Sequence, residues 1–289
     1  MNESPHYVNW LLLKDFGTQA LTRVGIPEKD AGIIANTLVE AELRGVDTHG
    51  LVQLAPFVRM VTEGKVNPRP KLSIVKETPV SAVLDGDDGI GNLVCVRAAE
   101  LAIKKAQETG VGLAGTRNST HCGALAYYPM LALKQYLMGF MTVNGPPLIP
   151  AYGGITRLLS TNPYSAAIPA GEERPVVLDM AVTVATRGKM RLKARLGEKI
   201  PPGWALDRYG QPTDDPKEAL DYGFQAWMGE HKGYALAVLS NILSGVLTGC
   251  AFSPRTYPPY DMAAEFGSQL IRQGQFILVL CIESVRPLA

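Results

Sequence analysis

The 289-residue chain carries 28 Lys and Arg against 27 Asp and Glu, for a formal net charge of +1, and 46% of its residues are hydrophobic. Because this near-neutral chain has neither a basic block nor an acidic tail, nucleic acid and membrane surfaces are poor candidates for partners. Its length exceeds what one simple core holds, so we expect a large domain and a smaller lobe.

The four cysteines are widely separated, and none forms the C-x-x-C pair of a structural zinc site, so no metal is expected. Scattered cysteines of this kind favour reduced thiols and a cytoplasmic location. The N-terminal residues lack the basic segment and cleavage site of a signal peptide. The uncharged stretches 135–156 and 233–254 contain glycine, proline and polar residues, which favours buried elements over membrane spans.

The apolar pattern of residues 1–70 predicts a small N-terminal helical lobe. Pro27 opens an apolar pattern that indicates a helix ending near Leu43, and a second helix begins near Gly50 with Asp47 or Thr48 as its N-cap.

Residues 71–289 predict one α+β domain that binds cofactor and substrate. The helix at 233–247 is the most apolar and is expected in the core. Strands and helices that alternate irregularly along these residues predict a mixed sheet with flanking helices. Strands are predicted at 72–75, 81–84, 111–117, 139–143, 165–168, 176–180 and 275–282, and helices at 94–108, 122–136 and 233–247.

One glycine pattern is misleading. Residues 110–115 read GVGLAG and satisfy G-x-G-x-x-G, but a helical pattern precedes them and a strand pattern runs through them. A dinucleotide-binding loop needs the reverse order, so that the pyrophosphate meets a helix N-terminus. We therefore interpret Gly110 as the end of a helix and expect a non-Rossmann fold.

Three of the four histidines are followed by a glycine within two residues: His49, His121 and His231. Imidazole titrates between pH 5 and 8, and glycine relaxes the local φ/ψ limits, so each ring can be presented from a bend. A single case is more simply a turn residue. Three of four indicate a site.

A series of short motifs runs through nearly the whole chain, and their order and spacing resemble the malate/L-lactate dehydrogenase family. This family is unrelated to the Rossmann-type enzymes and includes ureidoglycolate, sulfolactate and diketogulonate oxidoreductases and a cyclic imine reductase. The motifs are AELRGVDTHG at 41–50, NSTHCGA at 118–124, STNP at 160–163, VLDMA at 177–181, RGK at 187–189, PGWA at 202–205, DP at 215–216 and HKGY at 231–234.

The resemblance implies hydride transfer between NAD or NADP and a 2-hydroxy acid or its 2-oxo acid, in a homodimer. It implies that His49 is the proton donor and acceptor. Asp179 is the better candidate for a carboxylate partner of His49, although an aspartate capping the turn after a strand explains it equally well. The implied substrate-binding residues are His121, Gln53, Asn144 and Thr161. The implied cofactor-binding residues are Asn162, Asp179, Met180, Ala181, His231, Lys232 and Gly233.

Two departures from the family pattern leave alternatives open. Many relatives carry an arginine four residues after the catalytic histidine, where this chain has Gln53, so Arg44 or Arg59 compensates or the substrate is not a simple dicarboxylate. Relatives also continue beyond the strand at 275–282, so a C-terminal segment of the family is expected to be missing. The alternatives are a reductase of a cyclic imine or an N-substituted amino acid, and a catalytically silent paralogue.

Overall fold

A computed structural model describes residues 7–252, 254 and 270–286, so the outer ends of both predicted domains lie outside the described residues. The helices are α1 (Trp10–Arg23), α2 (Glu28–Leu43), α3 (Leu54–Thr62), α4 (Gly91–Thr109), α5 (Tyr127–Leu133), α6 (Arg187–Leu196), α7 (Pro216–Asp221) and α8 (His231–Asn241). The strands are β1 (Ser73–Glu77), β2 (Ser81–Gly89), β3 (Val111–Ser119), β4 (Leu137–Val143), β5 (Ile149–Pro150), β6 (Arg157–Leu159), β7 (Tyr164–Ala170), β8 (Glu173–Met180), β9 (Ala205–Leu206), β10 (Pro212–Thr213), β11 (Phe224–Gln225) and β12 (Gln273–Cys281).

A seven-stranded mixed sheet organises the fold, in the order β1-β2-β3-β12-β4-β7-β8. Only β2 and β3 pair in parallel among its described strands, and α4 connects them. Helices α4 and α5 pack on one face and bury a cluster that includes Cys95, Tyr128, Met141 and Ile277. Smaller sheets, β10-β9-β11 and β5-β6, lie outside this frame. The predicted α+β class with flanking helices is confirmed.

Helices α1, α2 and α3 form an N-terminal helical lobe around its own buried cluster, which includes Leu21, Leu38 and Phe57. The sequence pattern missed α1, which Asn9 begins by accepting a hydrogen bond from the backbone N–H of Leu11 at 2.8 Å. The start of α4 also contributes Ile90 to this cluster. The division of the chain at residue 70 stays a prediction.

Gly110 ends α4 at φ +86° and β3 follows it, so the interpretation of the glycine pattern is confirmed. The predicted helix at 122–136 was too long, because Gly123 adopts φ +74° and only α5 is helical. A left-handed residue cannot continue a right-handed helix. Residues 121–126 therefore form an irregular segment beside the histidines.

The apolar helix predicted at 233–247 consists of α8 and a π-helical extension at 242–246. The expectation that it lies in the core is correct for one face only. Gly233, Ala237 and Ser240 are buried, whereas large side chains point outward. Within the described ranges, no helix is long and apolar enough to cross a membrane. The exposed large side chains of this segment are Leu236, Leu239, Ile242, Val246 and Leu247.

Candidate active site

Two of the predicted site residues, His49 and His121, are in contact. Their rings stack with centroids 5.4 Å apart and planes 27° from parallel. His49 lies at the end of a short 3-10 turn at 47–49, and His121 lies just after β3. The hydroxyl of Thr48 is 2.8 Å from Nδ1 of His49, which fixes the orientation of that ring. The stacked rings join the N-terminal lobe to the sheet.

Burial lowers the pKa of both imidazoles. Removal from water lowers the pKa of His121 to about 3, and the neighbouring His49 adds to this shift by repelling a second positive charge. Burial also lowers the pKa of His49 below 6.5. Both rings are therefore neutral at pH 7, and His49 is poised to accept a proton.

The turn that carries His49 is held by side chains from both sides. Oε1 of Glu42, near the end of α2, accepts a hydrogen bond from the backbone N–H of Leu51 at 2.6 Å. Nε2 of Gln53 donates to the carbonyl oxygen of Thr48 at 2.6 Å. The expectation that Asp47 or Thr48 caps the following helix was wrong, since the carboxylate comes from Glu42 instead.

Gln53 therefore faces back toward its own turn. Its other amide atom, Oε1, is buried and has no hydrogen-bond partner among the described residues. A buried acceptor without a partner is costly. The side chain of Gln53 is bonded to the histidine turn, and its proposed contact with substrate stays a prediction.

Asp179, at the end of β8, lines a cavity of about 220 Å³ together with Arg44, Glu40 and Tyr127. Desolvation raises the pKa of its carboxyl, while the N–H groups of Ala126 and Leu125 and the charge of Arg44 act in the opposite direction. Oδ2 accepts from the N–H of Ala126 at 2.8 Å. Within the described residues, no hydrogen bond joins Asp179 to His49, and the segment 121–126 connects them instead.

Asn144 and Asn162 are both buried and bonded within the protein. Asn144 accepts from the N–H of Gly274 at 2.8 Å and donates to the carbonyl of Ala251 at 2.7 Å. Asn162 accepts from the N–H of Ser160 at 2.9 Å. These bonds hold backbone segments in place, so any contact that either residue makes with a ligand stays a prediction.

The remaining predicted cofactor residues meet where β8 ends beside α8. The carbonyl of Thr161 accepts from the N–H of Val182 at 3.1 Å, and the carbonyl of Val182 accepts from the N–H of Met228 at 3.0 Å. Gly233 is buried against the same backbone, since a Cβ there would lie 2.3 Å from the carbonyl oxygen of Met228. The segment that follows Met180 and Ala181 is therefore bonded to the residues just before α8 and lies beside the first turn of that helix.

Two charged residues stand at the start of α8. Lys232 is exposed, and no side chain caps this helix among the described residues. Glu230, just before it, has φ +58° and accepts a hydrogen bond from the hydroxyl of Tyr152 at 3.0 Å. The ring of His231 lies edge-on to Tyr152, with centroids 6.1 Å apart. His231 thus belongs to this end of α8 and is separate from the stacked pair.

Sequence reasoning missed the contact between Glu42 and the turn of His49, although Glu42 lies inside the quoted motif at 41–50. A glutamate one residue before the end of a helix has no local partner that would single it out. Its only signal in the sequence was its place in the same motif as His49 and Gly50. Arg44 was considered only as a substitute for the missing arginine.

Comparisons with known proteins agree with this arrangement. The profile of the malate/L-lactate dehydrogenase family matches residues 8–289. The malate dehydrogenase of Pyrococcus horikoshii is 39% identical over 283 residues, which cover 96% of this chain and 76% of that protein. The structure of sulfolactate dehydrogenase from Methanocaldococcus jannaschii is similar with a TM-score of 0.88 at 35% identity, covering 96% of this chain and 79% of that one. The structure of δ1-piperideine-2-carboxylate reductase from Pseudomonas syringae gives a TM-score of 0.88 at 26% identity, covering 96% and 83%.

Proposed function

Because the chain belongs to the malate/L-lactate dehydrogenase family and is therefore an oxidoreductase that acts on CH–OH groups, we propose that it transfers a hydride between NAD or NADP and a 2-hydroxy acid or its 2-oxo acid. The observation that carries the proposal is the stacked pair of neutral imidazoles, His49 and His121. A neutral imidazole is the base that oxidation of a hydroxyl requires.

His49 is the proposed general acid and base. A nicotinamide supplies or accepts the hydride when bound. His49 accepts the hydroxyl proton during oxidation and returns one to the carbonyl oxygen during reduction, from about 2.6–3.2 Å. Thr48 holds Nδ1, which leaves Nε2 for the substrate. His121 stacks on the ring of His49 and is proposed to hold that ring in place beside the substrate.

The residues at the start of α8 fit a dinucleotide. The first turn of α8, which no side chain caps among the described residues, carries the positive end of the helix dipole, and the exposed Lys232 adds a cation beside it. This donor set suits a phosphate. Lys232, His231 and Gly233 would hold that part of the cofactor, and Met180 and Ala181, with Asn162 behind them, would position the rest.

We assign the substrate carboxylate to Arg44. Arg44 lines the cavity, five residues before His49, whereas Gln53 is turned toward the carbonyl of Thr48. A guanidinium can bind a carboxylate through two hydrogen bonds. Asp179 lines the same cavity and is the proposed carboxylate that orients the substrate or relays the proton, while Thr161 and Asn144 complete the substrate side.

A cyclic imine or an N-substituted amino acid is the second candidate substrate. The similarity to the piperideine-2-carboxylate reductase structure favours it, because that match is as good in TM-score as the match to the sulfolactate enzyme. The carboxylates of Glu40 and Asp179 in the cavity would suit a protonated imine. A catalytically silent paralogue is the third candidate, which binding without turnover would identify.

We also propose a homodimer in the cytoplasm. The large apolar side chains that α8 and its extension expose support an interface on this surface, because neighbouring exposed apolar side chains favour association. The four cysteines are free, which suits a reducing compartment. Light scattering of the wild type and of Leu239→Glu tests the dimer, because a charge in an apolar interface should yield monomers.

The experiment that tests the function has two steps. NADH and NADPH are titrated against the protein while nicotinamide fluorescence is followed, and turnover is then measured with pyruvate, oxaloacetate, 2-oxoglutarate and a cyclic imine. We expect saturable cofactor binding and turnover of a 2-oxo acid that His49→Ala abolishes. Cofactor binding without turnover of any substrate would favour the silent paralogue. Turnover unaffected by His49→Ala would refute the assigned role.

A further inference from the structure

The carboxylate of Glu42 spans the turn that carries His49. Glu42 lies in the last turn of α2, and its Oε1 accepts from the N–H of Leu51 at 2.6 Å. Leu51 begins the helical run that leads into α3, so its N–H has no partner within that run. A carboxylate there satisfies the donor and matches the positive end of the helix dipole. The bond ties the end of α2 to the residue two positions beyond His49.

The absence of a side chain at Gly50 leaves room for this carboxylate. A Cβ at position 50 would lie 2.1 Å from Oε1 of Glu42, and the two next nearest atoms are Cδ and Cγ of the same side chain. The φ of Gly50 is −89°, so the left-handed conformation that favours glycine is not the reason for this residue. The interpretation that Gly50 relaxes the backbone limits stays a prediction, and the structure adds a second reason for glycine, because a Cβ at this position would displace the carboxylate of Glu42.

The turn is also closed on its other side. Gln53 donates to the carbonyl of Thr48, and the N–H of Gly50 donates to the carbonyl of Asp47 at 3.2 Å. Between these bonds, Thr48 and His121 fix the ring of His49. Of the two side chains that brace the turn, only Glu42 comes from a separate helix. Without it, the far side of the turn, at Leu51, loses its side-chain bond to α2.

We propose that Glu42 is a positioning residue that sets the placement of His49 by binding the N–H of Leu51. The proposal rests on the proposed acid/base role of His49. Glu42 touches neither substrate nor cofactor and acts through the backbone of the turn. Its contribution depends on the reach of an acceptor oxygen more than on charge, because the donor is a backbone N–H.

Three variants of Glu42 separate the effect of side-chain length from the effect of its charge. Glu42→Ala removes the acceptor, and displacement of a catalytic group by an ångström lowers kcat by about a hundredfold. Glu42→Gln keeps a carbonyl oxygen at the same distance and should restore kcat to within about fivefold of wild type, since a neutral acceptor weakens the bond by about a factor of this size. Glu42→Asp keeps the charge but not the reach, and should resemble Glu42→Ala.

The KM for cofactor should stay unchanged in all three variants, because Glu42 does not approach α8. Glu28→Ala is the matched control, since it removes an exposed carboxylate from the other end of the same helix. Circular dichroism checks that each variant is folded. A one-dimensional NMR titration of the His49 ring gives a readout independent of turnover, and its resonance should shift in Glu42→Ala and return in Glu42→Gln.

A double-mutant cycle tests the packing directly. Gly50→Ala should displace the carboxylate and lower kcat in the wild-type background, whereas it should add little in the Glu42→Ala background, since the atoms it clashes with are gone. Additive effects would overturn the proposal, as would wild-type kcat in Glu42→Ala while His49→Ala is inactive. If His49→Ala itself retains activity, the proposed function fails, whereas the NMR shift still reports whether Glu42 positions the ring.

Discussion

Replacement of His121 by glutamine should remove much of the protein's loss of stability in mild acid. The folded protein holds this imidazole neutral with a pKa of about 3, whereas in the unfolded chain it titrates near 6.5. At pH 5 the unfolded state therefore binds a proton that the folded state does not. Stability contributed by a depressed histidine pKa is present above pH 6.5 and falls as the pH drops toward 3.

The size of the effect follows from these two pKa values. Between pH 7 and pH 5, protonation of His121 in the unfolded chain alone lowers the free energy of unfolding by about 2 kcal/mol. His49, whose pKa is also lowered, adds to the loss in the same direction. Urea unfolding followed by tryptophan fluorescence at pH 7 and pH 5 measures the difference. In His121→Gln the difference should be smaller than in wild type by about 2 kcal/mol.

A control separates titration from packing. Thr120→Ser alters the neighbouring buried residue, whose hydroxyl accepts from the N–H of Gly91 at 3.0 Å, and contributes no titrating group. It should lower stability equally at both pH values. If His121→Gln and the wild type lose the same stability between pH 7 and pH 5, the neutral buried state assigned to His121 is wrong.

Three further predictions concern catalysis. The kcat/KM for oxidation should be constant above pH 7 and fall in acid with a midpoint below 6.5, because burial lowers the pKa of the His49 base; a midpoint above 7 in steady-state rates would contradict this. Lys232→Ala should raise the KM for cofactor more than that for substrate, and an effect on the substrate KM alone would reassign the lysine. Arg44→Lys should raise the KM of a 2-oxo acid about tenfold by losing one of two hydrogen bonds, whereas an unchanged KM would exclude Arg44 from binding the carboxylate.

The family and the fold class could be predicted because both depend on patterns spread along the chain. Strand β3 and the end of α4 at Gly110 follow from local propensity alone. The pairing of His49 with His121 was expected only through the resemblance, and their stacking confirms that the two rings meet. The roles assigned to these residues remain predictions.

What the sequence could not give depends on contacts between distant residues. The acceptor for Leu51 comes from Glu42, nine residues earlier, whereas local capping rules selected Asp47 or Thr48. The orientation of α8 was misjudged because an apolar helix is normally assigned to the core. Here the fully buried face of α8 carries small side chains, with Tyr234 and Val238 partly buried beside it. The π-helical extension approaches the sheet closely, since a Cβ added at Gly274 would lie 1.8 Å from the carbonyl oxygen of Ser244.

The order of the seven-stranded sheet has a consequence for how the chain folds. Strand β12 comes last among the described strands but pairs with β3 on one side and β4 on the other. The ribosome therefore releases two half-sheets, β1-β2-β3 and β4-β7-β8, well before the strand that joins them. Each half exposes an unpaired edge during that interval, which invites aggregation. Closure awaits a pairing of high contact order, so folding should be slow and should finish only after synthesis of residue 281.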